Sequence, residues 1–130
     1  MKLGYVILYV PDVPAAVEFY ERAFGVRRKF VHESGTYAEM DTGSTALAFA
    51  GEALASQSIA DYRRNRSTDA PAGIEVGFVT DDVPAAFARA IAAGAVACME
   101  PTRKPWGQVV SYVRDLNGVL VEICSAVDGA

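Results

Sequence analysis

Apolar residues run without a break through Tyr5-Val6-Ile7-Leu8-Tyr9-Val10, and β-branched and aromatic side chains dominate the run. Such continuity predicts a strand covered on both faces. Beyond it the period becomes that of a helix, with Val13, Ala16, Val17, Tyr20 and Phe24 on one apolar stripe. Asp12 stands where a carboxylate caps the first turn, Pro14 where its missing N–H is not needed, and Gly25 where a left-handed residue stops the helix. Three shorter strand patterns follow at about 28–33, 36–41 and 45–50, divided by the turn residues Ser34-Gly35 and Asp41-Thr42-Gly43-Ser44. Residues 3–52 therefore read β-α-β-β-β.

The pattern then starts again. Asp12-Val13-Pro14-Ala15-Ala16 recurs letter for letter as Asp82-Val83-Pro84-Ala85-Ala86. A strand pattern over 74–80 precedes the second copy, a helical stripe of Val83, Ala86, Phe87, Ala90 and Ile91 follows it, and Gly94 ends the stripe. Further strands are predicted near 95–99, 108–114 and 119–124. Asp115-Leu116-Asn117-Gly118 has the residues of a type I turn closed by a left-handed glycine, which sets Tyr112 opposite Glu122 and Val110 opposite Cys124. Repetition decides architecture. The expectation is an α+β fold in one domain over 1–130: two tandem βαβββ modules, about 3–52 and 73–125, forming an open, concave mixed sheet with the helices on its outer face. A pseudo-two-fold would relate the halves, with any site between them. Residues 53–72 read as a linker with a helical segment over 53–65, and Arg63, Arg64 and Arg66 as its solvated face.

Composition narrows the function. Of 130 residues, 52% are hydrophobic and 22% charged, which describes a folded globule rather than a disordered chain. A net charge of −4 argues against a nucleic-acid partner, because phosphate binding needs a basic face. No apolar run is long enough to span a membrane, and the N-terminus lacks the pattern of a signal peptide, so a cytoplasmic location is expected. Cys98 and Cys124 make neither a disulfide framework nor a Cys-x-x-Cys site, and are expected as buried thiols.

Strand alternation sorts the candidate site. Val6, Leu8 and Val10 should face the first helix, leaving Tyr5, Ile7 and Tyr9 on the other side. Val76 and Phe78 should face the second helix, leaving Glu75, Gly77 and Val79. Glu122 shares its face with Leu120 and Cys124, and Gln108, Tyr112 and Arg114 share theirs. Trp106 sits near the start of that strand, and Phe49 and Tyr37 add walls in the first half. Aromatic rings with a few polar groups suit a flat organic guest, and carboxylates under rings suit a cation. Two carboxylates close together cannot both ionise easily, so Glu75 and Glu122 can serve as general acid and base. The alternative is that they accept hydrogen bonds from Tyr5, Tyr112 or Arg114 and only tie strands together. No Ser–His–acid set and no phosphate-cradling glycine loop is present in the sequence.

The doubled module resembles the vicinal oxygen chelate superfamily, which includes glyoxalase I, extradiol dioxygenases, fosfomycin-resistance enzymes and bleomycin-resistance proteins. The resemblance is carried by Leu8-Tyr9-Val10-Pro11-Asp12-Val13 and Phe19-Tyr20-Glu21-Arg22-Ala23-Phe24-Gly25 in the first half. In the second it is carried by Phe78-Val79-Thr80-Asp81-Asp82-Val83, Pro105-Trp106-Gly107 and Asp115-Leu116-Asn117-Gly118-Val119-Leu120-Val121-Glu122. In metal-dependent members each half supplies one ligand from its first strand and one from its last. The resemblance puts Tyr5, Ala48, Glu75 and Glu122 at those four places. The family uses histidine, glutamine and glutamate at most of them. Ala48 cannot ligate, Tyr5 carries a phenol of pKa about 10, and the one histidine, His32, lies elsewhere.

These observations lead to an expected metal-independent, cofactor-free binder of a small aromatic or cationic molecule, resembling the bleomycin-resistance proteins that act by sequestration. The ligand-binding set is Tyr5, Ile7, Tyr9, Phe49, Glu75, Trp106, Gln108, Tyr112, Arg114 and Glu122. The competing expectation is a glyoxalase- or dioxygenase-like lyase or isomerase with Glu75 and Glu122 as catalytic residues, with or without a divalent metal. Exposed sheet edges and the resemblance together imply a homodimer.

Overall fold

The computed structural model describes residues 1–127. The chain divides after Arg64 into two compact units. The first contains β1 (Tyr5–Val10), α1 (Val13–Phe24), β2 (Arg28–Val31), β3 (Tyr37–Met40), β4 (Ala46–Gly51) and the short α2 (Glu52–Ser56). The second contains β5 (Glu75–Val79), α3 (Val83–Ala92), β6 (Val96–Arg103), β7 (Val109–Arg114) and β8 (Leu120–Cys124). The two sheets have the same topology, β1-β4-β3-β2 and β5-β8-β7-β6. In each, the first strand pairs in parallel with the last, and the remaining pairings are antiparallel. This is the tandem βαβββ arrangement and an α+β fold, as the repeat implies.

The repeated pentapeptide builds the same helix start twice. Asp12 Oδ1 accepts from the Ala15 N–H at 3.1 Å, and Asp82 Oδ1 accepts from the Ala85 N–H at 3.1 Å. Each carboxylate satisfies one of the donors that a helix start leaves without an internal partner. The ends differ. Gly25 closes α1 in the left-handed conformation, at φ 67°, whereas α3 is two residues shorter and leaves its helical path at Ala93 before Gly94 turns left-handed.

Burial follows the apolar stripes. In the first unit Val13, Ala16, Val17, Phe19, Tyr20 and Ala23 of α1 are buried with Leu8, Val10, Ala38, Met40 and Phe49 of the sheet. Tyr20 is the hub of an aromatic cluster, with ring centroids 4.9 Å from Phe24 and 5.0 Å from Phe49. In the second unit Val113, Val121, Ile123 and Ser111 fill the corresponding layer, and the Ser111 hydroxyl donates to the Ile123 carbonyl at 2.8 Å.

Three expectations change. The helical segment predicted over 53–65 shrinks to α2, residues Glu52–Ser56. It starts at Gly51 with no side-chain cap, and Ser56, Gln57 and Ser58 bring no apolar stripe to extend it. Cys98 is exposed, because β6 is an edge strand, while Cys124 is buried as expected. Arg64 and Arg66 are more than a solvated face. Arg64 lies over the Tyr62 ring, and the Arg66 carbonyl accepts from Arg114. Among the described residues no helix is long and apolar enough to cross a membrane.

Candidate functional site

α1 packs on the first sheet and α3 on the second, and strand alternation turns Tyr5, Ile7, Tyr9, Glu75, Tyr112 and Glu122 to the opposite faces. The register of β7 against β8 pairs Tyr112 with Glu122 and Val110 with Cys124, as the turn chemistry requires. That register depends on the hairpin at 115–118. The Asp115 carboxylate accepts from the N–H groups of Asn117 and Val119, and Gly118 takes φ 87°. On β5, Gly77 stands opposite Glu122, so the strand carrying Glu75 adds no side chain beside the Glu122 carboxylate at that level.

Glu122 is the centre of a hydrogen-bonded group. The Tyr112 hydroxyl donates to its Oε1 at 2.9 Å, Glu75 and the Cys124 thiol lie near enough to act on its ionisation, and the thiol itself donates to the Phe78 carbonyl at 3.6 Å. Loss of hydration pushes the Glu122 carboxyl upward, but Cys124, Glu75 and Tyr112, with the charge of Lys104, outweigh this and hold it below its ordinary value. Glu75 moves the other way. Loss of hydration, the bond to Glu122 and the negative charge there all raise it. A negative charge on either carboxyl opposes ionisation of the other, and of the two Glu75 holds its proton more readily. The same carboxylate raises both of its other partners. Tyr112 is pushed up to about 12, chiefly by its bond to Glu122, and Cys124 to about 11, chiefly by burial.

The raised Glu75 carboxyl has a measurable consequence. A carboxyl with a raised value binds its proton more tightly folded than unfolded. Its stabilising effect is complete below its ordinary value of 4.5 and is lost as pH rises through the raised value. Glu75→Gln keeps the hydrogen bond and removes the ionisation. The melting temperature of this variant relative to wild type is expected to climb between pH 4 and pH 8, by a small margin because Glu75 is exposed and its charge is screened by solvent. A difference that stays flat with pH would show that Glu75 ionises without constraint.

Trp106, in the turn that precedes β7, is held in place by Gln108. Its indole N–H donates to Gln108 Oε1 at 2.9 Å, and Gln108 Nε2 donates to the Ser125 carbonyl at 2.9 Å. Gln108 thus orients the ring rather than offering free groups, and 58% of Trp106 stays exposed. Arg114 is committed elsewhere, contrary to the expectation that it lines the site. Its guanidinium donates to the carbonyls of Gly118, Arg66 and Asp69 at 2.9, 3.3 and 2.6 Å, clamping the linker to the hairpin.

In the first unit Tyr5 (58% exposed) and Ile7 (42%) stand on the helix-free face with Tyr9. Phe49 does not join them. Its register with Leu8 and Ala38 turns it toward α1, where it is fully buried against Tyr20. The residue that strand alternation did not single out is Glu39. It pairs with Ala48 across β3 and β4 and accepts from the Tyr37 hydroxyl at 2.9 Å, with Tyr37 pushed up to about 12 by burial and by this carboxylate. A Tyr-x-Glu spacing within one strand is its only signature in the sequence.

The chemistry of the donors decides whether the family's metal fits. Ala48 offers a methyl group and Tyr5 a phenol, which leaves Glu75 and Glu122 as the only carboxylates among the four places. Among the described residues no group of three or more His, Cys, Asp or Glu side chains is placed to hold a metal ion. The residues present do not fit that metal.

With this geometry in place, the family can be stated. The family model of the Glyoxalase/Bleomycin resistance protein/Dioxygenase superfamily matches residues 2–123, and the chain belongs to that superfamily. It is 25% identical over 124 residues to the uncharacterized protein YraH of Bacillus subtilis (strain 168), covering 95% of this chain and 97% of that one. TioX from Micromonospora sp. ML1 is 26% identical with a TM-score of 0.73, covering 96% and 98% of the two chains. A glyoxalase/bleomycin resistance protein/dioxygenase family enzyme from Burkholderia phytofirmans PsJN superposes with a TM-score of 0.82 at 23% identity, covering 96% and 98%.

Proposed function

We propose that the protein binds a small aromatic cation without a metal, holding its ammonium group at Glu75 and Glu122 and its ring against Trp106 and Tyr112. The observation that carries this reading is the pair of carboxyls on one face of the neighbouring strands β5 and β8, Glu75 raised and Glu122 lowered from their ordinary values. A cation arriving there replaces the proton on Glu75 and lets both carboxylates ionise, so electrostatic gain is concentrated at one point. Trp106, exposed yet fixed by Gln108, offers a stacking surface at little entropic cost. Sequestration of such a compound needs nothing more than affinity. Tyr5, Ile7 and Tyr9 give the first unit an aromatic and apolar surface of its own.

The test is a fluorescence titration of chelator-treated protein with 2-naphthylmethylammonium. Binding should survive the chelator and weaken about tenfold or more in Glu122→Gln, where the charge is lost and the shape kept. Equal affinity in the variant, or binding that needs an added divalent ion, would reject the reading.

The opposite displacements of the two carboxyls favour one second reading, an acid–base lyase or isomerase. Glu75 would then give a proton and Glu122 take one. It requires turnover that Glu75→Gln and Glu122→Gln each abolish.

A further inference from the structure

We propose that Tyr62, in the segment that follows α2, is a ligand-binding residue of the first unit. Its hydroxyl donates to a carbonyl or carboxylate oxygen of a flat organic molecule seated beside Tyr9. The inference rests on reading the helix-free sheet faces as ligand surfaces, and adds to it a group that accepts rather than donates.

The Tyr62 hydroxyl is buried and has no hydrogen-bond partner among the described residues. Native structures seldom leave such a group unpaired, because desolvating a hydroxyl without a partner costs stability, and an exception calls for an explanation. Packing does not supply one. The ring lies edge-on to Tyr9, with centroids 5.1 Å apart at 73°, and the Arg64 guanidinium sits 5.3 Å from its centroid on the ring face. Phenylalanine would make both contacts equally well without burying an unpaired hydroxyl. What tyrosine adds is the O–H.

The surroundings indicate what that O–H meets. Tyr9 belongs to the β1 face that also carries Tyr5 and Ile7, and so joins Tyr62 to the aromatic surface of the first unit. Arg64, with Glu52 3.9 Å from its Nε, keeps a positive charge against the ring. A phenol can donate or accept. Beside a cation, a partner bearing negative charge is favoured over another donor, so the hydroxyl donates and the partner is an oxygen acceptor. Residues 57–61, 63 and 64 are exposed and residues 57–72 form no helix or strand. A segment so lightly held can shift at low cost to admit a guest.

The experiment uses two probes on the full chain. 2-Naphthamide carries a neutral oxygen acceptor, and 2-naphthylmethylammonium carries a cationic donor. Tyr62→Phe should bind 2-naphthamide about five- to tenfold more weakly than wild type, the loss of one good hydrogen bond. Its affinity for 2-naphthylmethylammonium should be unchanged, and its melting temperature without probe equal to or above that of wild type. Equal 2-naphthamide affinity in the two proteins, or no 2-naphthamide binding by wild type, overturns the proposal. So does a lower melting temperature of the unliganded variant, which would mean that the hydroxyl already has a partner. Glu122→Gln separates the two readings. If it leaves 2-naphthylmethylammonium binding intact, the carboxylate site fails whatever Tyr62 does. If only the Tyr62→Phe result fails, the carboxylate site stands.

Discussion

Phe49→Ala is expected to lose about 3–5 kcal/mol of stability, lowering the melting temperature by about 10–15 °C, while the protein that remains folded keeps its affinity for aromatic probes. Phe49 is fully buried and packs against Tyr20, itself in contact with Phe24 and Phe19. Truncation would open a cavity between β4 and α1 that neighbouring strands, fixed by their ladders, cannot close. Phe49→Leu refills most of that volume and should recover more than half of the loss. Urea unfolding of the two variants, with a titration beside each, measures both parts. A small stability loss with a large loss of binding would place Phe49 on the ligand face after all.

Gly118→Ala is expected to cost about 3 kcal/mol or more, far above the roughly 1 kcal/mol expected for Gly94→Ala. Both glycines have positive φ, 87° and 109°. They differ in their neighbours. A Cβ at Gly118 would lie 2.5 Å from Arg114 Nη2 and 2.6 Å from the Arg66 carbonyl oxygen, whereas one at Gly94 would meet nothing within 4 Å. The methyl would therefore strain the backbone and also push Arg114 off the carbonyls of Arg66 and Asp69. Thermal melts of the two variants side by side separate strain from collision. Equal losses would mean that Arg114 and the linker simply move aside.

Periodicity and repetition were enough to expose the fold. The two Asp-Val-Pro-Ala-Ala copies mark equivalent helix starts, the runs before them are equivalent parallel strands, and the turn at 115–118 sets the Tyr112–Glu122 pairing. Local chemistry dictates each of these. Alternation was enough to set the strand faces of Tyr5, Ile7, Tyr9, Glu75, Tyr112 and Glu122, and the candidate site was legible to that extent. Alternation failed for Phe49, whose strand is apolar at every position, Ala46 to Gly51, so that no period distinguishes its faces. Arg114 shares the expected face, but its long side chain reaches away to linker carbonyls through the space that the missing side chain of Gly118 leaves for it. Glu39 and Tyr62 escaped because one lies on a four-residue strand and the other on a segment without a period.

A cation held by Glu75 and Glu122 must displace the proton that the raised Glu75 carboxyl retains. Calorimetric titration of chelator-treated protein with 2-naphthylmethylammonium, repeated in buffers of different ionisation enthalpy, counts the protons released. As the pH is lowered from 8 towards 5, release should grow in the wild type and vanish in Glu75→Gln. Binding that releases no proton at any of these pH values, or the same number in both proteins, would contradict a cation seated on the carboxylate pair.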